Sequence, residues 1–297
     1  MKFRGHETFF IRKGWLYKGL KNIEKNKRIF NDKDSNPTDD LGIGTNMVKS
    51  LRYWLQAVGL TAEDMKENKK YQYRTKLGKL VWKYDRYIEE DGTLWLLHYN
   101  LASNEELATT WHWFYNEFNM KEFTKEDFVE DLDGYIKYNL EEVVAKRSLN
   151  DDYNCLINTY ISRKKMNPEK KISPENNIDC PLGTLELLDK VDKNVFRKAT
   201  LKKDTIHPLI VLSVMIDRYS KNENESKEVK IASLLNDDCN IGKIFNMDWN
   251  VLNHYLDVLQ EKKYLRVIRT AGLDVVKIDT DLDVLEIVEE YYKDINQ

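Results

Sequence analysis

Between residues 45 and 56 the chain carries Thr45, Asn46, Lys49, Ser50, Arg52, Tyr53 and Gln56, a concentration of hydrogen-bond donors and acceptors that includes two cations. Side chains of these types read base edges in the major groove and hold phosphate oxygens. A second set follows, in which Lys69, Lys70, Arg74 and Lys76 alternate with Tyr71 and Tyr73. Long cations on an exposed ribbon lie well along a phosphate backbone. A solvated edge strand guarded by lysines has the same composition, so the pattern is shared by a bland alternative. Together the two sets point to binding of double-stranded DNA rather than to making or breaking bonds.

Residues suited to catalysis do not assemble in the same way. The histidines are His6, His98, His112, His207 and His254, dispersed along the chain. His6-Glu7 lacks a second histidine four residues on, so it is not a metalloprotease helix, and Gly42-Ile43-Gly44 lacks the third glycine and the preceding strand of a phosphate-binding loop. No nucleophile elbow is present. The expectation is a non-enzymatic protein with no cofactor, no metal and no catalytic residue. A hydrolase or nuclease rests only on scattered histidines and carboxylates. Gly5-His6-Glu7-Thr8-Phe9 is unusual, because two ionisable residues sit beside aromatics at a terminus. His6 either contacts a phosphate or belongs to a hydrogen-bonded lid on the first domain, and the lid is the simpler expectation.

The elements that must carry the binding residues can be read from periodicity. Met47, Val48, Leu51, Trp54, Leu55 and Val58 form one helical stripe, which commits that side to a core and turns the polar set outward. Upstream, an extended aromatic start passes into a helix ending near Lys25. Asn36-Pro37 then opens a short helix, with asparagine as cap and proline at the first helical position. Gly42 or Gly44 supplies the left-handed residue for a tight turn. Helix, short helix, turn and recognition helix, followed by a basic hairpin, is the order of a winged helix-turn-helix.

Net charge becomes informative once it is divided. Residues 1–87 hold 20 basic and 10 acidic residues, against 27 and 40 in the remainder, although the whole chain balances at -3. A basic N-terminal unit joined to an acidic remainder is a footprint of nucleic-acid contact at one end, and also suits docking on an acidic protein. Cys155, Cys180 and Cys239 are odd in number and far apart, as expected of reduced thiols in a cytoplasmic protein. No run approaches the roughly 20 apolar residues of a membrane span. The opening residues lack the apolar run of a signal peptide.

Beyond the basic unit, residues 93–118 predict two apolar helices around Ser103-Asn104, and 123–161 predict further helices that begin at the capping box Thr124-Lys125-Glu126-Asp127. Arg163 to Asn177 reads as a basic connector and the main domain boundary. Pro208 to Tyr219 predicts an apolar helix, Ser220 to Glu228 a charged loop, and Val229 to Leu235 the start of another helix. Ile241 to Asn246 reads as a short connector. Met247 to Lys263 predicts a helix with Leu252, Tyr255, Leu256 and Leu259 on one face, and a hairpin turns at Thr270-Ala271-Gly272. This second winged-helix-like set presents Asp248, Asp257 and Glu261 beside His254, a poor surface for phosphate and a better one for a protein. The expected architecture is mainly α. A basic winged-helix domain spans residues 1–92, a helical region 93–165, and an acidic winged-helix-like domain with short β-hairpins 166–297.

Several blocks recur as a set: Gly5-His6-Glu7-Thr8-Phe9, Gly14-Trp15-Leu16, Leu41-Gly42-Ile43-Gly44 through Arg52-Tyr53-Trp54, and Leu94-Trp95-Leu96-Leu97-His98. With Ala108-Thr109-Thr110-Trp111 and Asp179-Cys180-Pro181-Leu182, they span nearly the whole chain. As a set they resemble the bacterial family called domain of unknown function 4007. Members tend to lie beside genes for DNA phosphorothioate modification, including a sulfurtransferase similar to phosphoadenosine phosphosulfate reductases. The resemblance implies an accessory subunit in DNA sulfur modification or the associated antiviral defence. Such a subunit either presents DNA to the enzymes or docks on the sulfurtransferase as an adaptor without touching DNA.

Overall fold

Gly42 and Gly44 divide the labour at the turn that aims the polar set. In a computed structural model that describes residues 1–31, 36–161, 179–220, 228–270 and 273–296, Gly42 adopts φ +58° and ends a short helix, α2 (Pro37–Leu41). Gly44 is extended and leads into α3 (Thr45–Ala57). Pro37 opens α2 as its fixed φ favours, whereas the Asn36 side chain bonds Asp39 and Thr38 side chains and caps no backbone amide. Before them lies α1 (Trp15–Lys25). After them, β1 (Thr61–Lys66) and β2 (Lys69–Arg74) pair antiparallel, with Thr61 opposite Arg74 and Lys66 opposite Lys69. Their two-residue turn, Glu67-Asn68, has positive φ at both positions, which matches the twist of a tight hairpin.

Chain contacts divide the protein into two units. The first comprises Met1–Phe114 and Phe118–Lys198, the second Tyr115–Glu117 and Ala199–Gln297. Residues 93–114 and 118–161 therefore group with the basic N-terminal elements, as do the described residues 179–198. The expected connector at 163–177, most of the loop at 220–228, and Ala271-Gly272 lie outside the described residues.

The first unit continues through α4 (Lys76–Tyr84), α5 (Asp91–Ala102), α6 (Thr109–Asn116), α7 (Lys125–Asn139) and α8 (Lys146–Tyr160). Helix α5 is apolar nearly all round and is buried along almost its whole length, as such a helix must be. The two aromatic helices expected at 93–118 are α5 and α6, and their rings are core: Trp95, Trp111, Trp113 and Phe114 are all buried. Thr124 and Asp127 form the reciprocal capping box that starts α7. Sequence periodicity gave no sign of a small sheet in which β3 (Glu122–Phe123) and β4 (Leu188–Asp192) both pair with β5 (Val195–Lys198). A two-residue strand carries no period of its own, and its partner lies far along the chain.

The second unit contains α9 (Pro208–Ser220), β6 (Glu228–Lys230), α10 (Ile231–Asn236), α11 (Ile241–Ile244), α12 (Trp249–Glu261), β7 (Leu265–Thr270), β8 (Leu273–Ile278) and α13 (Val284–Asp294). Two expectations change here. Val229 and Lys230 form strand rather than helix, because they pair with Val276 and Val275 and complete a sheet of order β6-β8-β7. Ile241 to Ile244 is a short helix rather than a connector, capped by the Asn240 side chain. Overall the chain is mostly helical with small antiparallel sheets.

Candidate nucleic-acid interface

Core packing decides which polar residues of α3 reach solvent. Val48, Leu51, Trp54, Leu55 and Val58 are buried as their spacing requires. Ser50 and Tyr53 are buried too, at 0% and 4% exposure, although their polar atoms suggested an outward position. The cause is the N-terminal arm, which covers that flank of the helix. Ser50 donates its hydroxyl to the Phe9 carbonyl at 3.3 Å, and the Trp54 indole donates to the same oxygen at 2.8 Å. Gly5 packs its backbone against the Tyr53 ring so closely that any side chain there would collide with it. Burial, reinforced by Asp152, raises the Tyr53 hydroxyl well above its ordinary pKa. Neither Ser50 nor Tyr53 is presented to a ligand.

His6 anchors the arm and is fully buried, so it does not contact a phosphate. Its Nδ1 accepts the Thr8 amide at 3.0 Å, which leaves Nε2 as the protonated nitrogen, 2.7 Å from Asp152 Oδ1. Asp152 also accepts the Arg4 amide at 2.8 Å and the Thr110 hydroxyl at 2.6 Å. Its buried carboxylate is thus satisfied by three donors. The network holds Arg4, Glu7 and Thr8 at positive φ, a conformation that costs energy in non-glycine residues and persists where surroundings enforce it. The lid expected from the sequence is therefore built from His6 on α8's Asp152, with His6 stacked at 6.1 Å on Trp54.

What remains outward on α3 is Thr45, Asn46 and Lys49, all exposed, with Arg52 and Gln56 half-exposed along the same line. Arg52 is not free. Its guanidinium makes a two-pronged ion pair with Glu63 of β1 at 2.5 and 2.7 Å, and Gln56 donates to the same carboxylate at 3.3 Å. This clamp ties the hairpin to the helix, so the hairpin's flank continues the helix face. Lys69 and Lys70 are exposed at the hairpin's end, beside Met65 at 60% exposure. Lys76 is exposed on the first turn of α4.

Arg74, by contrast, is a structural cation. It lies 3.9 Å over the Trp82 ring, pairs with Glu24 at 2.8 Å and donates to the Leu20 carbonyl. Burial lowers its pKa, partly countered by Glu24. Lys2 escaped the sequence reading and stands on the arm above the Tyr53 ring, at 5.2 Å. Its pKa is lowered, mainly by burial, then by Arg52 with a smaller push from Lys70, while Glu63 and Glu7 oppose the shift. Lys2 thus stands over the ring of an α3 residue, on the flank of the helix that the arm covers. The adjacent Gly5-His6-Glu7 block was the only signal in the sequence that this arm has a fixed position.

On the other face of the hairpin, a groove of about 880 Å³ runs between α1, β2 and α4. It is lined by Lys27, Lys66, Lys79, Tyr71, Tyr73 and Arg74, together with Glu24 and Asp64. Among the described residues no group of three or more His, Cys, Asp or Glu converges as metal ligands.

At the level of fold, this is a mostly helical protein whose basic helix and hairpin share one face. A family model matches residues 3–292, and the chain belongs to that family, described as protein of unknown function, DUF4007. Two solved structures share its fold. A magnesium ion-bound SspB aligns with TM-score 0.87 and a second SspB structure with 0.86, each at 23% identity over 100% of this chain and 89% of theirs. Among curated proteins no relative matches. No helix among the described residues is long and apolar enough to cross a membrane.

Proposed function

We propose that the protein is a non-enzymatic, DNA-binding accessory subunit of a bacterial DNA phosphorothioate modification or phage-defence system. Duplex DNA meets the N-terminal unit, read as a winged helix: Thr45, Asn46 and Lys49 enter the major groove, Arg52 holds the hairpin in place through Glu63, and Lys69 and Lys70 lie along phosphates with Lys2 nearby. Lys76 adds a phosphate contact from α4. The observation that carries this reading is the Arg52–Glu63 clamp, which sets a basic helix face and a lysine-tipped hairpin side by side. Membership of the family supports the cellular context, since its members tend to neighbour phosphorothioation genes.

A salt titration of duplex binding tests it. Affinity should fall steeply with salt, because each neutralised phosphate releases counterion. Asn46→Ala with Lys49→Ala, both exposed on α3, should abolish retention of the duplex while circular dichroism stays unchanged. Unaltered binding by that double variant would sink the assignment. One SspB structure holds magnesium. The described residues here offer no ready set of protein ligands for such an ion, and no step through it belongs to the proposal. Strand scission by the purified chain, lost on chelation and restored by magnesium, would overturn the non-enzymatic part.

A second reading is favoured by one observation in the other unit. Trp249, at the start of α12, is 45% exposed, with exposed Asp248 before it as the helix cap and exposed Asp257 about two turns further along the helix. An exposed tryptophan among acidic residues suits a protein partner better than phosphate. In this adaptor role the C-terminal unit docks on the phosphoadenosine phosphosulfate reductase-like sulfurtransferase. Co-purification that survives nuclease and is lost in Trp249→Ala would support it.

A further inference from the structure

We infer that the groove between α1, β2 and α4 binds an unpaired, extended DNA strand, with bases stacked on Tyr71 and Tyr73 and phosphates held by Lys27, Lys66 and Lys79. The site lies on the opposite face of the hairpin from the Arg52–Glu63 clamp. Register shows this directly. Thr61, Glu63, Lys70, Gln72 and Arg74 share one face of the β1–β2 ribbon, and Asp64, Lys66, Lys69, Tyr71 and Tyr73 share the other, with Arg74 reaching the groove from the ribbon's end.

The rings have the accessibility that stacking needs. Tyr73 is 42% exposed, and among the described residues no side chain stacks on its ring. Tyr71 is half-buried and carries the Arg28 guanidinium over its ring at 6.0 Å. Between them Gln72 is fully buried and donates its backbone N–H to the Lys27 carbonyl at 2.7 Å. That bond fixes the strand against the end of α1 and holds Lys27 beside both tyrosines.

Spacing selects the conformation of the strand. Residues two apart on one strand face are separated by about 7 Å, twice the rise per residue. Stacked bases in a duplex strand advance only about 3.4 Å. Successive bases can meet successive tyrosines only in a strand that is unpaired and stretched. Stacking on aromatic rings tolerates any base, because every base has a π-face.

Charge agrees with this occupant. Glu24 is engaged by Arg74, and the Asp64 carboxylate accepts the Met65 amide at 2.8 Å. Lys27 lies in the turn just past the end of α1, Lys66 stands at the hairpin tip and Lys79 on α4, and no ion pair holds any of the three ammonium groups among the described residues. A cationic groove with a two-ring floor is the arrangement by which sequence-tolerant single-strand binders track a backbone.

The inference extends the DNA reading of α3 but stands on different residues, so the two can fail separately. The test is fluorescence anisotropy of the full chain with a short labelled oligothymidine, an abasic strand of equal length, a duplex, and an acidic peptide as competitor. Oligothymidine should bind about tenfold or more tightly than the abasic strand, and Tyr73→Ala should remove that advantage. Tyr73→Phe should retain it, because the ring and not the hydroxyl stacks. Duplex binding should be unchanged in Tyr73→Ala, whose exposed side chain leaves the core intact. Asn46→Ala with Lys49→Ala should lose the duplex and keep oligothymidine. Equal binding of abasic and thymidine strands, or an unchanged Tyr73→Ala, would overturn the inference. So would an acidic peptide that displaces oligothymidine at equal concentration, since it would show a groove selecting charge alone.

Discussion

The two units each contain a short helix, a second helix and an antiparallel hairpin, with chemistry that differs at almost every outward position. Helix α3 presents Thr45, Asn46, Lys49 and Arg52, whereas α12 presents Trp249, Asn250, Asn253 and Asp257. Arg52 spans to the hairpin strand through Glu63. In the second unit Arg269 of β7 reaches back to Asn253, a neutral partner on the helix. The β1–β2 ribbon has two strands and a lysine-rich end, while β7–β8 is widened by β6 into a sheet of three. Both units also place a glycine where a helix touches backbone. Gly78 of α4 lies against the Leu60 carbonyl, and Gly242 of α11 against Leu235. Similar packing problems are thus solved alike, while the exposed residues diverge. Shared architecture says little about the partner, which is decided by side chains grafted onto it.

The largest expected effect separates the two surfaces. At physiological salt, Asn46→Ala with Lys49→Ala should weaken duplex binding about a hundredfold, and Asn250→Ala with Asn253→Ala should leave it unchanged. Equal losses from both pairs, read by gel retention, would erase the contrast. Next comes Asp152→Ala. It strands buried donors from Arg4, His6 and Thr110, and at about 1 kcal/mol or more each the first unit should lose about 3 kcal/mol. Urea denaturation followed by tryptophan fluorescence would report it, because Trp54 and Trp111 both pack on His6.

Gly78→Ala and Gly242→Ala should each destabilise their own unit by about 1–3 kcal/mol, since a methyl would press on backbone that cannot rotate away. Two shifted denaturation midpoints would confirm that both helix contacts are tight, and an indifferent variant would show that its neighbour gives way. The smallest effect is electrostatic. Lys69→Ala or Lys70→Ala should each reduce the slope of log affinity against log salt by about 1. An unchanged slope would remove the hairpin end from the interface.

Local pattern made much of this molecule legible. The apolar stripe of α3, Pro37 at the start of α2, the Thr124–Asp127 capping box and the apolar face of α12 are all interactions within a turn or two, so their residue spacing is their signature. The basic candidates were less uniform. Thr45, Asn46, Lys49, Lys69, Lys70 and Lys76 are exposed, Arg52 is shared with Glu63, and Ser50, Tyr53 and Arg74 serve packing. Nothing adjacent to Ser50 or Tyr53 announces that loss, because the covering arm is more than forty residues away.

Sequence alone determined that one end is basic, that α3 has a committed apolar side, and that a cationic ribbon follows it. These are properties of composition and of periods of two and 3.6 residues, which chain connectivity imposes. Tertiary structure alone decided that His6 closes on Asp152, that the arm delivers Lys2 over the Tyr53 ring while hiding Ser50 and Tyr53, and that the hairpin's second face opens onto a groove with α1 and α4. Each depends on residues distant in sequence meeting at hydrogen-bond or van der Waals range. Such meetings are chosen by the packing of the whole unit and leave no period in the chain.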